Sequence, residues 1–342
     1  MRPYSLYLDS VKNPKSTLAC EFDLAGSTPP VPANLLKTVT FEADESRRSH
    51  ALKEVTRQLS KLTGNPSNRI LTTVGSSSGF LLALAAVTKP GDTVVIESPT
   101  YEPFVQTARF LGLKVKHFKR TGEFERDLAN LRKVRGHALV VSNPNSPTGW
   151  LYSARELATL AKLFDYTIVD EIFLPVFANE ISRAPTSAIA LSGLSKTLGL
   201  SSLRVGWIQA PPTILKACDQ QGLNLYCDVP TLPLVAAGGV LPRWTEIVSA
   251  SRARADQNRP LIRRFNSENP NCLSHDFSEG HFGTLEIPRR FKTAASFSKE
   301  IARKSVKVAS GESFGCPDSV RISINVEPAK FARALEIIAT YY

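Results

Sequence analysis

Short apolar runs alternate with helix-like segments between residues 50 and 210, and this alternation constrains the fold more than any other feature. The runs 69–74, 93–98 and 137–142 are compact and rich in β-branched residues. The segment 51–62 instead repeats leucine and valine at the spacing of one helical face. Strands that alternate with helices form mostly parallel sheets covered on both faces. The sequence therefore predicts an α/β fold.

The chain has 342 residues, a length typical of about two domains. Beyond residue 230 the pattern changes to one long helical segment, 232–266, followed by mixed strands and helices. This part predicts a smaller α+β domain, on which the proline-rich first 40 residues are expected to pack as an arm. We therefore expect a large domain over 40–215 and a small domain built from 1–39 and 216–342.

Composition excludes several classes of protein. No stretch of about 18 apolar residues exists, so no membrane span is predicted, and the first residues lack the apolar region of a secretory signal. Five cysteines without a C-x-x-C pair favour neither a disulfide scaffold nor a zinc ribbon, and they indicate a reducing, cytoplasmic environment. Five histidines without H-x-x-x-H or H-E-x-x-H spacing predict no metal site.

The net charge is +11, from 42 basic and 31 acidic residues. Such an excess fits an anionic partner, which can be nucleic acid, acidic lipid or a phosphorylated ligand. It also fits a diffuse basic surface. Because the basic residues are spread along the chain with no run of five like charges, we favour the diffuse surface and predict neither a nucleic-acid nor a membrane partner.

Lys196 lies in a loop of small residues, SGLSKTLGLSSLRVGW, directly after a predicted buried strand. A lysine with few polar neighbours can lose its proton and form a Schiff base with a carbonyl. Arg204, eight residues later, offers a guanidinium that suits a phosphate dianion. Taken alone, however, a lysine is more often simply solvated.

Three further segments carry polar residues at strand ends. The turn 73–79, TVGSSSG, joins a strand to a helix, and free N–H groups at a helix start can bind an anion. Asp170 ends a buried run at the edge where parallel sheets bind ligands. The run 142–149, SNPNSPTG, forms a polar turn after the preceding strand. Each also fits a structural role as a helix cap, a capping acid or a connecting loop.

Together these segments resemble the class I/II aminotransferases, which are pyridoxal-phosphate enzymes of fold type I. The matching segments occur in the family's order over about residues 20–340: VGSSSGF, KPGDTVVIESPTYEP, SNPNSPTG, DEIF, SGLSKTLGLSSLRVGW and SVRISINV. The resemblance implies a mostly parallel seven-stranded sheet with helices on both faces. It also implies a homodimer, with an amino acid and a 2-oxo acid as substrates of a ping-pong transamination.

The resemblance assigns a role to individual residues. Lys196 would hold pyridoxal 5'-phosphate as a Schiff base and later move the proton of the substrate Cα. Asp170 would pair with the protonated pyridine nitrogen, and Tyr101 would stack on the ring. Arg321 would bind the substrate carboxylate, and Gly26 would lie against the substrate. The cofactor phosphate would contact Gly75, Ser76, Ser77, Ser195 and Arg204.

Four positions depart from the family. Ser146 stands where the family's asparagine contacts the ring hydroxyl of the cofactor, with Asn145 as a possible substitute. Phe173 replaces the tyrosine that makes the other contact, and Gly193 replaces a serine or threonine. No tyrosine for the partner's phosphate appears in 40–50. Loss of both ring-hydroxyl donors predicts a raised pKa for the Schiff base.

The reaction itself is left open by the sequence. A fold type I lyase or decarboxylase that uses the same cofactor is the alternative to the aminotransferase. A non-catalytic cofactor-binding sensor is a third hypothesis, although no helix-turn-helix fits in the short N-terminal arm.

Overall fold

The computed structural model describes residues 20–31, 48–270, 272, 277 and 279–342. Most of the predicted arm, and most of the segment 40–50, lie outside these residues. The strands are β1 (Phe22–Asp23), β2 (Ile70–Val74), β3 (Thr93–Ser98), β4 (Lys114–Lys119), β5 (Ala138–Ser142), β6 (Tyr166–Asp170), β7 (Ile189–Gly193), β8 (Val205–Gln209), β9 (Phe282–Glu286), β10 (Val306–Lys307), β11 (Ala309–Ser310) and β12 (Ser319–Ser323).

The helices lie mainly between these strands in the first two thirds of the chain. They are α1 (Arg48–Thr63), α2 (Gly75–Val87), α3 (Glu102–Phe110), α4 (Phe124–Arg132), α5 (Ala154–Ala161), α6 (Leu174–Ala178), α7 (Leu194–Thr197), α8 (Pro212–Tyr226), α9 (Thr231–Val240), α10 (Trp244–Glu268), α11 (Ala294–Ala302) and α12 (Pro328–Ala339). Among the described helices, none is long and apolar enough to cross a bilayer.

The large sheet has seven strands in the order β2-β8-β7-β6-β5-β3-β4. Only β8 runs antiparallel to its neighbours β2 and β7, and the other pairs are parallel. The predicted α/β class and the mostly parallel seven-stranded sheet are therefore confirmed. Because β5, β6 and β7 are parallel, their carboxyl ends meet at one edge of the sheet.

Helices cover both faces of this sheet, because side chains alternate along each strand. Val94 and Ile96 of β3 face one way and share a core with α2, α3 and α8. Val95 faces the other way, into a core with α4 and α5. Helix α5 begins with the capping box that its sequence predicts: Glu156 N donates to Ser153 Oγ and Ser153 N donates to Glu156 Oε2.

The single helix predicted over 232–266 is wrong. The structure has two helices, α9 and α10, separated by a 3₁₀ turn at Leu241–Arg243. Pro242 lies in this turn, and a proline has no N–H for a helical hydrogen bond. The turn lets α9 pack on α1 while α10 continues toward the smaller unit.

The smaller unit contains the three-stranded antiparallel sheet β11-β12-β9. Strand β1 pairs in parallel with β10, so residues 22–24 belong to this unit. The predicted division at residue 215 stays a prediction. Trp244 and Ile247 of α10 pack in the core of α1 and β8, whereas Ile262 and Phe265 pack with β12 and α12. We propose that the domain boundary falls within α10.

Candidate active site

The polar residues singled out in the sequence converge where β5, β6 and β7 end. Asp170 is the last residue of β6, and Gly193 is the last of β7. The one-turn helix α7 follows at once and carries Lys196. Asp170 and Leu191 are register partners in the sheet, so the ends of the two strands lie side by side.

Lys196 is partly buried, and its ammonium donates hydrogen bonds to Ser27 Oγ at 3.0 Å and Thr28 Oγ1 at 3.2 Å. The pKa of Lys196 is lowered from 10.5 to about 8, mainly by burial and then by Arg321 and Arg204, against an opposing effect of Asp170. An amine with such a pKa is available as a nucleophile near neutral pH. Sequence reasoning missed the two hydroxyls, although they follow Gly26 directly.

Asp170 has the opposite shift. Its pKa is raised from 3.8 to about 7, mainly by burial and in part by nearby Glu97, while the Ile172 N–H and Lys196 oppose this increase. Its Oδ1 accepts from Ile172 N at 3.1 Å. A cationic N–H partner would stabilise the charged form of this buried carboxyl group, because an opposite charge favours ionisation.

Glu171, the next residue, has a structural role. Its carboxylate is fully buried and accepts from Arg183 N at 2.7 Å, Ala184 N at 2.9 Å and the Ser182 hydroxyl. Burial raises its pKa to about 7, although these donors lower it. Glu171 therefore holds the 182–184 loop, and Asp170 alone is available to a ligand.

The start of α2 and the guanidinium of Arg204 form an anion cradle. Gly75 has a φ of +75°, which glycine adopts without strain. Arg204 has a φ of +51°, a conformation that a residue with a Cβ keeps only where the surroundings enforce it. A Cβ on Gly75 would lie 2.6 Å from Arg204 Nη2, so the guanidinium covers this turn. The N–H groups of the first turn, which include Ser76 and Ser77, have no partner within the helix.

Two glycines allow β7 and β8 to approach this cradle. A Cβ on Gly206 would lie 2.5 Å from Gly75 C and from Ser76 N. A Cβ on Gly193 would lie 3.1 Å from Val205 O, which gives a steric reason for a glycine at this departure from the family. The buried Ser195 follows two residues later, at the start of α7. The predicted phosphate residues are thus brought together.

Arg321 lies on β12, and only 4% of its surface is exposed. Its Nη1 donates to Ser146 Oγ at 3.2 Å and its Nη2 to Ala25 O at 2.9 Å. The rings of Phe314 and Phe282 flank its Cζ, with centroids at 4.9 and 5.4 Å. Ser146 is therefore placed beside the residue predicted to bind the substrate carboxylate.

The other predicted residues surround these groups. The side chain of Asn145 makes hydrogen bonds within the protein. Its amide donates to Pro99 O at 3.0 Å, and its Oδ1 accepts from Thr148 Oγ1 at 2.7 Å. Tyr101 precedes α3 and packs edge-on against Phe104.

Phe173 packs on Phe282, and its ring centroid lies 5.9 Å from Lys196 Nζ. Gly26 is exposed, with open space where a Cβ would be.

This set of groups fits pyridoxal phosphate. The aldehyde needs an amine, which Lys196 supplies with a lowered pKa. The protonated pyridine nitrogen needs a carboxylate, which Asp170 supplies. The phosphate needs a cradle of amides and a cation, which the α2 turn and Arg204 supply. In the described part of the chain, no group of three or more histidine, cysteine or acidic residues is arranged to hold a metal.

Comparison with known proteins identifies the family. The model of the aminotransferase class I and II family matches residues 40–338, and the chain belongs to this family. A probable aminotransferase of Arabidopsis thaliana is 26% identical over 299 residues, which span 79% of this chain and 67% of that protein. An aspartate aminotransferase of Pyrococcus abyssi is 25% identical over 314 residues, 84% of this chain and 79% of that protein.

Solved structures support the same fold. Aspartate aminotransferase from Thermus thermophilus with maleate has a TM-score of 0.84 at 20% identity, covering 100% of this chain and 97% of that chain. The predicted family and fold class are confirmed. The aminotransferases among the relatives confirm the predicted aminotransferase and do not favour a lyase or decarboxylase.

The close approach at Gly206 gives a first prediction. Gly206→Ala would push a methyl group into Gly75 C and Ser76 N, so we expect the first turn of α2 to shift. Affinity for pyridoxal phosphate, measured by fluorescence titration of cofactor-free protein, should fall about tenfold or more. Affinity for pyridoxal, which lacks the phosphate, should change much less.

A matched control is Gly238→Ala in α9. Its Cβ would lie 3.8 Å or more from its neighbours, an ordinary contact. It should leave both affinities unchanged. An equal loss for the two ligands in the Gly206 variant would mean that the turn does not bind phosphate.

The raised pKa of Asp170 gives a second prediction. The folded protein keeps this proton up to about pH 7, whereas the unfolded chain releases it near pH 4. Stability of the cofactor-free protein is therefore lost as pH rises through this window. We expect Asp170→Asn to raise the free energy of unfolding at pH 8 by at least about 1 kcal/mol. The gain should vanish below pH 4.

Urea unfolding of cofactor-free protein at pH 4, 6 and 8 measures this effect. The same substitution should weaken binding of pyridoxal phosphate, because asparagine carries no charge for the pyridinium. A variant less stable than the original chain at pH 8 would contradict the assigned shift.

Proposed function

We propose that this chain uses pyridoxal phosphate to transfer an amino group between an amino acid and a 2-oxo acid in a ping-pong reaction. The observation that carries the proposal is the position of Lys196. Its amine has a lowered pKa and interacts electrostatically with Asp170, Arg204 and Arg321. The amine of Lys196 is thus near a carboxyl group that suits the ring nitrogen, a guanidinium that suits the phosphate and a guanidinium that suits a substrate carboxylate.

In this proposal the cofactor is held at both ends. The amides of Gly75, Ser76 and Ser77, together with Arg204 and the Ser195 hydroxyl, would hold the phosphate. Asp170 would accept a hydrogen bond from the protonated pyridine nitrogen, and Tyr101 would stack on the ring. The bound cofactor supplies an electron sink for the electron pair of the substrate Cα–H bond. Asn145 shapes the 143–150 loop, so that Ser146 lies near Arg321.

Arg321 binds the α-carboxylate of the substrate through its two terminal nitrogens. The same nitrogens donate to Ser146 and Ala25 in the structure, so the substrate would replace these partners. Lys196 would then take the proton from Cα of the substrate as a general base and donate it back as a general acid. Ser27 and Thr28 hold the free ammonium between these steps. The buried Ala25, which packs with Phe314 and Tyr101, would help to exclude water.

The decisive experiment traps the cofactor on the protein. Purified chain is incubated with pyridoxal phosphate, reduced with borohydride and digested, and the modified peptide is located by mass spectrometry. We expect the modification at Lys196. Amino acids are then added one at a time to the unreduced protein, and at least one should convert the bound cofactor to its pyridoxamine form.

Two variants separate the possible outcomes. Lys196→Ala should lose both the modification and the conversion. Lys216→Ala should lose neither, because Lys216 is an exposed residue of α8. Modification of a different lysine would contradict the site. Modification of Lys196 without conversion by any amino acid would contradict the transamination.

We also propose that the protein is a cytoplasmic homodimer. All five cysteines are free thiols, which supports a reducing compartment. Leu223, Leu225 and Leu232 are each more than half exposed near the junction of α8 and α9, and an exposed apolar patch is typical of an interface. A second copy of this chain is the occupant that the family resemblance implies.

Sedimentation velocity tests the dimer. We expect the original chain to sediment as a dimer and Leu225→Glu to shift it toward the monomer. Phe110→Glu is the matched control, since Phe110 is 80% exposed on a different helix, at the end of α3. A monomer of the unmodified chain at micromolar concentration would contradict the proposal.

A further inference from the structure

A buried ion pair lies beside the proposed site and has no assigned role. Arg120 Nη1 donates to Glu97 Oε2 at 2.7 Å, and neither side chain has any exposed surface. Removing two charges from water is costly, and an apolar pair of similar size is often no less stable. Stability alone is therefore a weak reason for this pair, and its hydrogen bonds indicate another one.

Glu97 is connected to Asp170 through a single residue. Its Oε1 accepts from both the N–H and the hydroxyl of Ser142, each at 2.6 Å. Ser142 ends β5 and is the register partner of Asp170 on β6. The next amide, Asn143 N, donates to Asp170 O at 2.8 Å. Two carboxyl groups thus flank Ser142 in a region shielded from water.

Arg120 extends the connection to the loop that carries Ser146. Its Nη1 also donates to Ser142 O at 2.7 Å, and its Nη2 donates to Trp150 O at 2.8 Å. Trp150 O accepts a second hydrogen bond from Asn145 N at 2.8 Å. One guanidinium therefore holds both ends of the 143–150 loop. In the middle of this loop, Ser146 accepts from Arg321.

The charges around the two carboxyl groups differ. Asp170 interacts with Glu97, which raises its pKa, and with Lys196, which lowers it. It also lies next to the buried Glu171. Glu97 is paired with Arg120, which is stacked on the ring of Tyr152 at 3.8 Å. Tyr152 donates to the buried Asp127 at 2.7 Å. Arg120 is thus the cation that balances Glu97.

We propose that Glu97 and Arg120 are positioning residues of the cofactor site, which set the charge state of Asp170 and hold the loop of Ser146. This inference rests on the proposed function, because it concerns the carboxylate that pairs with the pyridine nitrogen. Glu97 acts through its negative charge next to Asp170. Arg120 limits that effect by balancing the charge, and it fixes the loop through Ser142 O and Trp150 O.

Binding of pyridoxamine phosphate to cofactor-free protein tests this role without any catalysis. This ligand has no aldehyde, so binding requires no reaction with Lys196. Its affinity is measured by calorimetry between pH 5 and 9. The part of the pH profile that disappears in Asp170→Asn is assigned to Asp170, and its midpoint is compared among variants.

The two single variants should shift this midpoint in opposite directions. Glu97→Gln removes the like charge, so Asp170 should ionise at lower pH and the midpoint should fall by about one pH unit. Arg120→Met leaves Glu97 unbalanced, so the midpoint should rise by a similar amount. Arg120→Lys keeps the charge, but an ammonium cannot reproduce the guanidinium hydrogen bonds to Ser142 O and Trp150 O. This variant should therefore bind pyridoxamine phosphate more weakly without a change in the midpoint.

The control is the exposed pair of Arg333 and Glu336 on α12, whose nitrogen and oxygen lie 2.6 Å apart. Arg333→Met and Glu336→Gln change the net charge in the same way and should leave the midpoint unchanged. If Arg120→Met does not fold, Glu97→Gln, which is nearly isosteric, decides the test by itself.

The outcomes distinguish this inference from the proposed function. An original chain that does not bind pyridoxamine phosphate would overturn the proposed function. Binding with an Asp170-dependent midpoint that Glu97→Gln leaves unmoved would overturn the inference alone. Shifts of both single variants in the same direction would also overturn it, because they would indicate a structural effect rather than one of charge.

Discussion

The lowered pKa of one amine is the constraint on which the proposed site depends. Lys196 is held near two guanidinium groups in a partly buried place, and both effects favour the neutral amine. The carboxyl of Asp170 is shielded from water as well, and it has lost part of its tendency to ionise. The two groups are therefore arranged for a ligand that accepts an amine at one atom and offers a cationic N–H at another.

The parallel sheet brings these groups together. Strands β5, β6 and β7 end at Ser142, Asp170 and Gly193, side by side at one edge. Residues far apart in sequence then meet there, such as Ser146 with Arg321, which are 175 positions apart. The segment after Phe22 joins the smaller unit through its pairing with β10. The hydroxyls of Ser27 and Thr28 in this segment accept hydrogen bonds from Lys196 Nζ.

Only a small part of the net charge of +11 lies at the proposed site. Lys196, Arg204 and Arg321 face the proposed phosphate and carboxylates, and Arg120 balances a buried acid. Several other arginines pair with a glutamate one helical turn away on exposed helix faces, as Arg333 does with Glu336. Most of the excess is thus a surface property, as the scattered basic residues predict.

Much of this arrangement was accessible from the sequence, because it depends on local patterns. The β-branched runs predict the buried strands, and Ser153 with Glu156 predicts the start of α5. The motifs predict the residues of the sheet edge. The sequence does not show that Ser27 meets Lys196, because that contact spans 169 positions.

The same limit applies to the pair of Glu97 and Arg120. Glu97 reads as an ordinary charged residue of the predicted strand 93–98, and Arg120 is an ordinary basic residue that directly follows β4. The break at Pro242 was missed for another reason. The apolar pattern continues across it, and Pro260 is accommodated inside α10. A proline therefore ends one helix here and not the other, and the choice depends on tertiary packing rather than on local sequence.

The central claim is that this chain alone, before any cofactor binds, lowers the pKa of Lys196. Nitrogen-15 NMR of lysine-labelled, cofactor-free protein measures this directly, and the resonance is assigned by its loss in Lys196→Ala. We expect this amine to titrate near pH 8. Titration near 10.5, the ordinary value for lysine, would contradict it.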